Sequence, residues 1–115
     1  MKLGIVGYRY FNNIGIFIKE LTKIENDYDI THIISGGATG GDTLAEKYAK
    51  TFKIPITIYY PDWGKFGRAA GPIRNELIVK NSDMIIAFLS SKSKGTLNTI
   101  KIAKSLNKKI IIINI

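Results

Sequence analysis

The segment "HIISGGATGGDTLAEKYAK", from His32 to Lys50, joins an apolar run to an amphipathic one through a glycine-rich turn. Four of the six positions from Gly36 to Gly41 are glycine. Glycines between a strand and a helix allow positive φ angles and a close approach of the backbone to a bound group. The segment predicts a strand, a turn and a helix. The turn either binds an anion at the start of the helix or packs the helix tightly against the strand.

The same alternation of apolar and amphipathic segments continues along the whole chain. Its strand-like runs are "KLGIVGY", "ITHIIS", "IPITIYY", "DMIIAFL" and "KKIIIINI". Continuous Ile- and Val-rich runs are typical of strands that helices cover on both faces. The pattern predicts a single α/β domain over residues 1–115, with a Rossmann-like, doubly wound sheet. We expect about five strands, mostly or wholly parallel, in the order 3-2-1-4-5.

Apolar residues at helical spacing predict which helix faces are buried. The first helix is expected over "NIGIFIKELTKI", and further helices over "PIRNELIVKN" and "LNTIKIAKSLN". The segment "PDWGKFGRAAG" is expected to be a loop. The side chains expected to face the core are Ile14, Phe17, Ile18, Leu21, Ile24, Leu44, Ala45, Tyr48, Ala49, Phe52, Leu97, Ile100, Ala103 and Leu106.

Composition excludes several classes of site. The 115 residues include no cysteine and one histidine, His32, so neither a disulfide nor a zinc site is expected. The runs "MIIAFL" and "IIIINI" are far shorter than the roughly 20 residues of a membrane helix. The N-terminus runs directly into a strand-like segment, without the pattern of a signal peptide. These features predict a cytoplasmic protein without a metal, cofactor or membrane segment.

The formal charge of +8 is concentrated in the second half of the chain. Residues 1–64 contain seven Lys or Arg and seven Asp or Glu, whereas residues 65–115 contain ten Lys or Arg and two acidic residues, Glu76 and Asp83. A half with this charge attracts polyanions or phosphorylated small molecules. Alternatively, the lysines only solvate helix faces.

In a sheet of this type, ligands bind beyond the carboxyl ends of the strands, near the point where the strand order reverses. The segments after strands 1, 2 and 4, with the "GRAAGPIRN" segment, are therefore expected to converge. Asp42 is expected either to cap its helix or to contact a ribose. The candidate ligand-binding residues are Gly7, Tyr8, Arg9, Ser35, Gly36, Gly37, Thr39, Gly40, Asp42, Trp63, Arg68, Arg74, Asn75, Ser90, Gly95 and Thr96.

The arginines and the tryptophan indicate what kind of ligand would bind. Arg9, Arg68 and Arg74 all fall in or beside the ligand-side segments. Arginine is preferred where a planar, bidentate fork holds a phosphate, although each could instead form an ordinary ion pair. Trp63 would stack on a base or anchor its loop.

The stretches "IVGYRYFNN", "ISGGATGGDTLAEKYAK", "YPDWGKFGRAAGPIRNELIVKNSDMIIAF" and "KGTLNTIKIAKSLNKKIIII" together resemble the YspA-like branch of the SLOG superfamily. This superfamily also includes DprA-type DNA-processing proteins and the lonely-guy phosphoribohydrolases. The resemblance implies a Rossmann-like domain for nucleotides or nucleotide-derived ligands, such as the ADP-ribose-type signals of anti-phage systems. It implies phosphate contacts at Gly36–Asp42 and at Gly95–Thr96, with Arg74 beside a ribose-phosphate. It also implies self-association.

The chain departs from the lonely-guy pattern at one catalytic position. Those enzymes carry a glutamate three residues after the threonine of their Gly-Thr turn, and here that residue is Thr99. Position 8 is Tyr where relatives usually have Ser. The missing glutamate and the clustered arginines favour a protein that binds its nucleotide-derived ligand without turnover, as a sensor or as a sequestering protein of phage counter-defence. The alternatives are a hydrolase that uses Glu76 or Asp42, and a DprA-like binder of single-stranded DNA.

Overall fold

In a computed structural model, which describes residues 1–37 and 41–115, strands and helices alternate along the chain. The strands are β1 (Lys2–Gly7), β2 (His32–Ser35), β3 (Ile56–Ile58), β4 (Met84–Leu89) and β5 (Lys109–Asn114). The helices are α1 (Ile14–Asp27), α2 (Gly41–Thr51), α3 (Trp63–Phe66), α4 (Ala70–Asn81) and α5 (Lys94–Ser105). Within the described ranges, no helix has both the length and the apolar character to cross a membrane.

The strands form one parallel sheet in the order β3-β2-β1-β4-β5, which confirms the predicted fold class and strand order. Leu3 of β1 pairs with Ile33 of β2 on one side and with Met84 of β4 on the other. The chain first builds outward from β1 to β3 and then crosses back to β4. The order therefore reverses between β1 and β4, where a crevice opens at the carboxyl ends of a doubly wound sheet.

Hydrophobic clusters cover both faces of the sheet. Along β4, Phe88 belongs to the cluster beneath α1 and α2, whereas its neighbour Ala87 belongs to the cluster beneath α4 and α5. The Phe88 ring stacks on Phe11 and Phe17, with ring centroids 4.7 and 5.4 Å apart. Burial on both faces explains why the strand sequences are continuously apolar.

The predicted helix faces are confirmed in their centres and wrong at their edges. Phe17, Leu21 and Ile24 of α1 are buried as predicted. The exposed exceptions are Ile14, Ile18, Phe52, Leu97 and Leu106. In α5 the inward face runs through Thr96, Thr99, Ile100 and Ala103. These residues lie on one side of the helix. Leu97 follows Thr96 directly, and its side chain is exposed because successive helix residues point about 100° apart.

The segment predicted as a loop contains ordered helical structure. The Asp62 carboxylate accepts a hydrogen bond from the Lys65 N–H at 3.0 Å and so caps α3. A 3₁₀ turn over Gly67–Ala69 then leads directly into α4. Pro72 lies in the first turn of α4, where its missing N–H leaves no helical hydrogen bond unmade. The segment is thus helical from Trp63 onward.

Candidate functional site

A cleft of about 720 Å³ opens at the point where the strand order reverses. Its walls come from the end of β1 and the residues after it, the start of α4 and the first turns of α5. This volume is within the usual range of small-molecule sites. The predicted site residues that line the cleft are Gly7, Tyr8, Arg9, Asp42, Trp63, Arg74, Asn75, Gly95 and Thr96.

Other predicted site residues lie elsewhere. Arg68 is exposed on the 3₁₀ turn and is not part of the cleft lining. Ser90 lines a second, smaller cleft of about 370 Å³ near the C-terminus. Ser35 is fully buried, and among the described residues its hydroxyl has no hydrogen-bond partner. Thr39 and Gly40 lie outside the described residues.

The glycines directly after β2 are required for packing. A Cβ on Gly36 would lie 2.6 Å from Arg74 Nη1. Gly37 has a φ of 71°, and a Cβ there would lie 2.5 Å from the Tyr60 ring. No other residue fits these positions without displacing a neighbour, so tight packing accounts for Gly36 and Gly37.

Arg74 and Asn75 form a hydrogen-bonded connection across the base of the cleft, which we call the Arg74–Asn75 bridge. The Arg74 guanidinium donates from Nη1 to the Gly36 carbonyl at 2.6 Å and from Nε to Asn75 Oδ1 at 2.8 Å. Asn75 Nδ2 donates to Asn98 Oδ1 at 3.0 Å and to the Gly95 carbonyl at 3.4 Å. A bidentate phosphate fork needs two parallel free N–H groups. The bridge uses one N–H group on Nε and one on Nη1. The other three guanidinium N–H groups, on Nη1 and Nη2, are not used by the bridge, so a phosphate contact of Arg74 stays a prediction.

The electrostatic environment of Arg74 is set by burial and by Asp42. Burial lowers the pKa of the Arg74 guanidinium below its usual value, and the nearby Asp42 carboxylate opposes this shift. Arginine nevertheless stays protonated under any ordinary condition. Asp42 is buried in the first turn of α2, where a negative charge interacts favourably with the helix dipole. The effect of burial on the Arg74 pKa is therefore larger than the opposing effect of Asp42.

The first turn of α5 meets the cleft without a side-chain cap. The Ser93 hydroxyl at the N-cap position instead accepts from the Ser90 N–H at 2.8 Å and donates to the Ser90 carbonyl at 2.7 Å. The first N–H groups of a helix have no partner within the helix. Among the described residues, and apart from the two neighbours of Gly95 and the backbone of its own helix, no atom lies within 4 Å of where a Cβ on Gly95 would be. The backbone there is open to a ligand.

Aromatic rings and cations line the rest of the cleft. The Tyr8 and Tyr10 rings meet edge to face with centroids 5.4 Å apart, and the Arg9 guanidinium lies 5.8 Å from the Tyr10 ring centroid. The Trp63 indole lies 3.5 Å from where a Cβ on Gly71 would be, which is an ordinary packing distance. Trp63 keeps 59% of its surface exposed. Lys92 and Lys94 complete the cationic part of the lining.

Sequence reasoning missed Gly71 and Asn98 as parts of this site. Gly71 lies one turn before Arg74 on α4, so the prediction of Arg74 as a site residue could have led to it. Asn98 lies one turn after Gly95 on α5, which places both residues on one side of the helix. The sequence held no signal that Asn98 would meet Asn75.

The profile of the YspA, cpYpsA-related SLOG family matches residues 1–66, which is more than half of the chain. The chain belongs to this SLOG family. The match ends before Gly67, so the start of α4 lies beyond the matched part of this SLOG domain.

The SLOG domain is also similar in structure to DNA processing protein A (DprA) of Streptococcus pneumoniae, with a TM-score of 0.77 and 19% sequence identity. The alignment covers 96% of this chain and 49% of the DprA chain, so the SLOG domain spans about half of that protein. At this identity the likeness shows a shared fold. A search of curated proteins found no match.

The carboxylates of the SLOG domain are arranged differently from the lonely-guy pattern. Glu76 is exposed on α4 and pairs with Lys80 at 2.7 Å, away from the cleft lining. At the position of the lonely-guy glutamate, the Thr99 hydroxyl donates to the Gly95 carbonyl at 3.2 Å. Among the described residues that line the cleft, the carboxylate is Asp42.

Proposed function

We propose that this SLOG domain binds a phosphorylated, nucleotide-derived small molecule in the 720 Å³ cleft and does not turn it over. One observation carries the proposal: a single cleft combines an open helix start, cations and partly exposed aromatic rings. The family favours ADP-ribose, cyclic ADP-ribose or cyclic-nucleotide signals as the ligand class. The domain would act as a sensor or as a sequestering protein, such as one of phage counter-defence.

The phosphate end of the ligand would lie at the first turn of α5. The backbone around Gly95 is open, and Lys92 and Lys94 line the same part of the cleft. Free N–H groups at a helix start, with the positive end of the helix dipole, favour an anion. Arg9 adds an exposed cation from the segment after β1.

The base end of the ligand would lie against the aromatic rings. Tyr8 and Tyr10 support each other edge to face, which limits their movement. Trp63 packs over Gly71 and leaves most of its indole exposed for stacking. Every nucleobase has a π face, so this arrangement accepts several bases.

Binding without turnover is supported by the surroundings of the carboxylates. General acid–base catalysis needs a group that can gain or lose a proton beside the reacting bond. Asp42 is buried in the first turn of α2 and interacts electrostatically with the Arg74 guanidinium. Asp42 therefore suits a structural role better than the donation of a proton.

The test incubates the purified protein with ADP-ribose, cyclic ADP-ribose isomers, NAD, AMP, cyclic dinucleotides and a short single-stranded DNA. Each mixture is filtered, and HPLC measures the free compound before and after heat denaturation. A compound that leaves the filtrate and returns intact supports the proposal. A compound that returns as base plus ribose-phosphate contradicts it and makes Asp42 and Glu76 the residues to replace. Recovery of every compound in the first filtrate also contradicts it.

Binding of single-stranded DNA is the second candidate function. Tyr60 and Trp63 are strongly exposed, and the second half of the chain carries the excess positive charge. Stacking rings beside a basic surface suit single strands, and the fold is shared with a DNA processing protein. Titrations at several salt concentrations distinguish the two functions, because DNA affinity falls steeply as salt rises.

We expect a Trp63→Ala variant to bind nucleotides roughly 5- to 100-fold more weakly, because stacking contributes about 1–3 kcal/mol per base. Trp63 is the only tryptophan of the chain, so its fluorescence reports binding in the wild type. Isothermal calorimetry would compare the variant with wild type for ADP-ribose and for inorganic pyrophosphate, which has no base. Equal losses for both compounds, or no loss for ADP-ribose, would exclude Trp63 as the base platform.

A further inference from the structure

The Arg74–Asn75 bridge joins two walls of the cleft that are far apart in sequence. Consecutive residues on a helix point in directions about 100° apart. Arg74 thus reaches the Gly36 carbonyl directly after β2, while Asn75 reaches Gly95 and Asn98 on α5. Each end of the bridge is therefore hydrogen-bonded to a segment outside α4.

The contacts of the bridge determine the orientation of both side chains. Asn75 is 5% exposed; its Oδ1 accepts from Arg74, and its Nδ2 donates to Asn98 and Gly95. Reversing this amide would place its NH₂ group against the Arg74 donor, so one orientation is favoured. At the other end, Gly36 has no side chain, which lets Arg74 approach its carbonyl. The bridge has little freedom to rearrange.

We propose that Arg74 and Asn75 are positioning residues, which hold Gly36 and the first turn of α5 at a fixed separation. Two of the five guanidinium N–H groups of Arg74 form the bridge, and through these two hydrogen bonds Arg74 sets this separation. The effect on ligand affinity rests on the proposed function, whereas the coupling between the two ends exists without a ligand.

The first experiment uses the full chain without a ligand. An Asn98→Ala variant removes the acceptor at the α5 end, and ¹H–¹⁵N NMR spectra record the Arg74 Nε–H and Gly36 N–H signals. We expect both signals to shift, although Gly36 lies at the opposite end of the bridge. The matched control is Asn81→Ala on α4, whose side chain donates to the Leu77 carbonyl outside the bridge. Unchanged Arg74 and Gly36 signals in Asn98→Ala would overturn the proposal.

The second experiment compares Arg74→Lys and Arg74→Met in calorimetric titrations with ADP-ribose. We expect affinity to follow the Gly36 signal, with a loss of roughly 10-fold or more in every variant that displaces it. Lys104→Met on α5, outside the cleft lining, controls for loss of a positive charge. An Arg74→Lys protein that keeps its affinity despite a displaced Gly36 signal would overturn the positioning role.

The two experiments separate this proposal from the proposed function. If wild-type protein does not bind ADP-ribose, that ligand is wrong, and the ligand-free spectra still decide whether the bridge couples its ends. If wild-type protein binds ADP-ribose and the spectra of Asn98→Ala show no change at Gly36, the bridge proposal fails and the binding function stands.

Discussion

A Gly95→Asp variant is expected to bind its phosphorylated ligand at least about 100-fold more weakly and yet to melt at a higher temperature than the wild type. The new carboxylate would enter the open space around Gly95, where the phosphate is proposed to lie. Like charges in contact cost several kcal/mol, and each 1.4 kcal/mol is about a factor of ten. Stability rises because α5 has no acidic residue in its first turn, where a carboxylate is favourable.

Calorimetry with ADP-ribose and thermal unfolding followed by circular dichroism would test both effects. Gly95→Ala is the control, because it removes the helix glycine without adding charge. We expect it to raise stability by about 0.5–1 kcal/mol, or roughly 2–6 °C, and to leave affinity largely intact. Undiminished binding by Gly95→Asp would show that the anion does not lie at this turn.

Phe88→Ala is expected to cause the largest loss of stability, about 3–5 kcal/mol in the free energy of unfolding. Phe88 is fully buried in β4 and stacks on Phe11 and Phe17. Its removal leaves a cavity beside the rings of Phe11 and Phe17, which belong to two different segments. Urea unfolding would measure the loss, which is a large part of the roughly 5–15 kcal/mol stability of a typical domain.

Phe52→Ala is the matched control for Phe88→Ala. The Phe52 ring is 55% exposed and contacts Tyr48 with ring centroids 4.8 Å apart. We expect its removal to cost about 0.5–1.5 kcal/mol, the value of one aromatic pair. Similar losses for the two variants would contradict the described position of Phe88 at the centre of the core.

The strand order was predictable from sequence because it follows from the alternation of strands and helices and from the right-handedness of their crossovers. The residues at the borders of the buried helix faces were not predictable. Phe52 and Leu97 fit the helical spacing of apolar residues, but both are exposed. In α5, Thr96 and Thr99 are buried in place of Leu97. The Thr99 hydroxyl donates to a backbone carbonyl of its own helix, which allows a polar residue to be buried. Residue polarity alone therefore misjudges which side of α5 faces inward.

The position of the cleft was also predictable, since it depends on strand order. The role of a single side chain within it was not predictable. The type and location of Arg74 suggested a phosphate fork, and they did not reveal that two of its N–H groups would donate to Gly36 and Asn75. Those contacts arise from the packing of α4 between distant segments. Ser90 and Arg68 also could not be placed from sequence. Ser90 follows β4 and Arg68 lies just before α4, yet neither lines the cleft.

The strand order has a consequence for synthesis of the protein. Leu3 pairs with both Ile33 and Met84, so β1 is central in the finished sheet but waits for its second neighbour until β4 has been made. At about 5–20 residues per second, this wait lasts several seconds on the ribosome. Throughout that time β1 is an edge strand with unpaired N–H and C=O groups, open to pairing with another chain. A half-sheet formed before β4 is made would therefore have β1 as an edge open to aggregation.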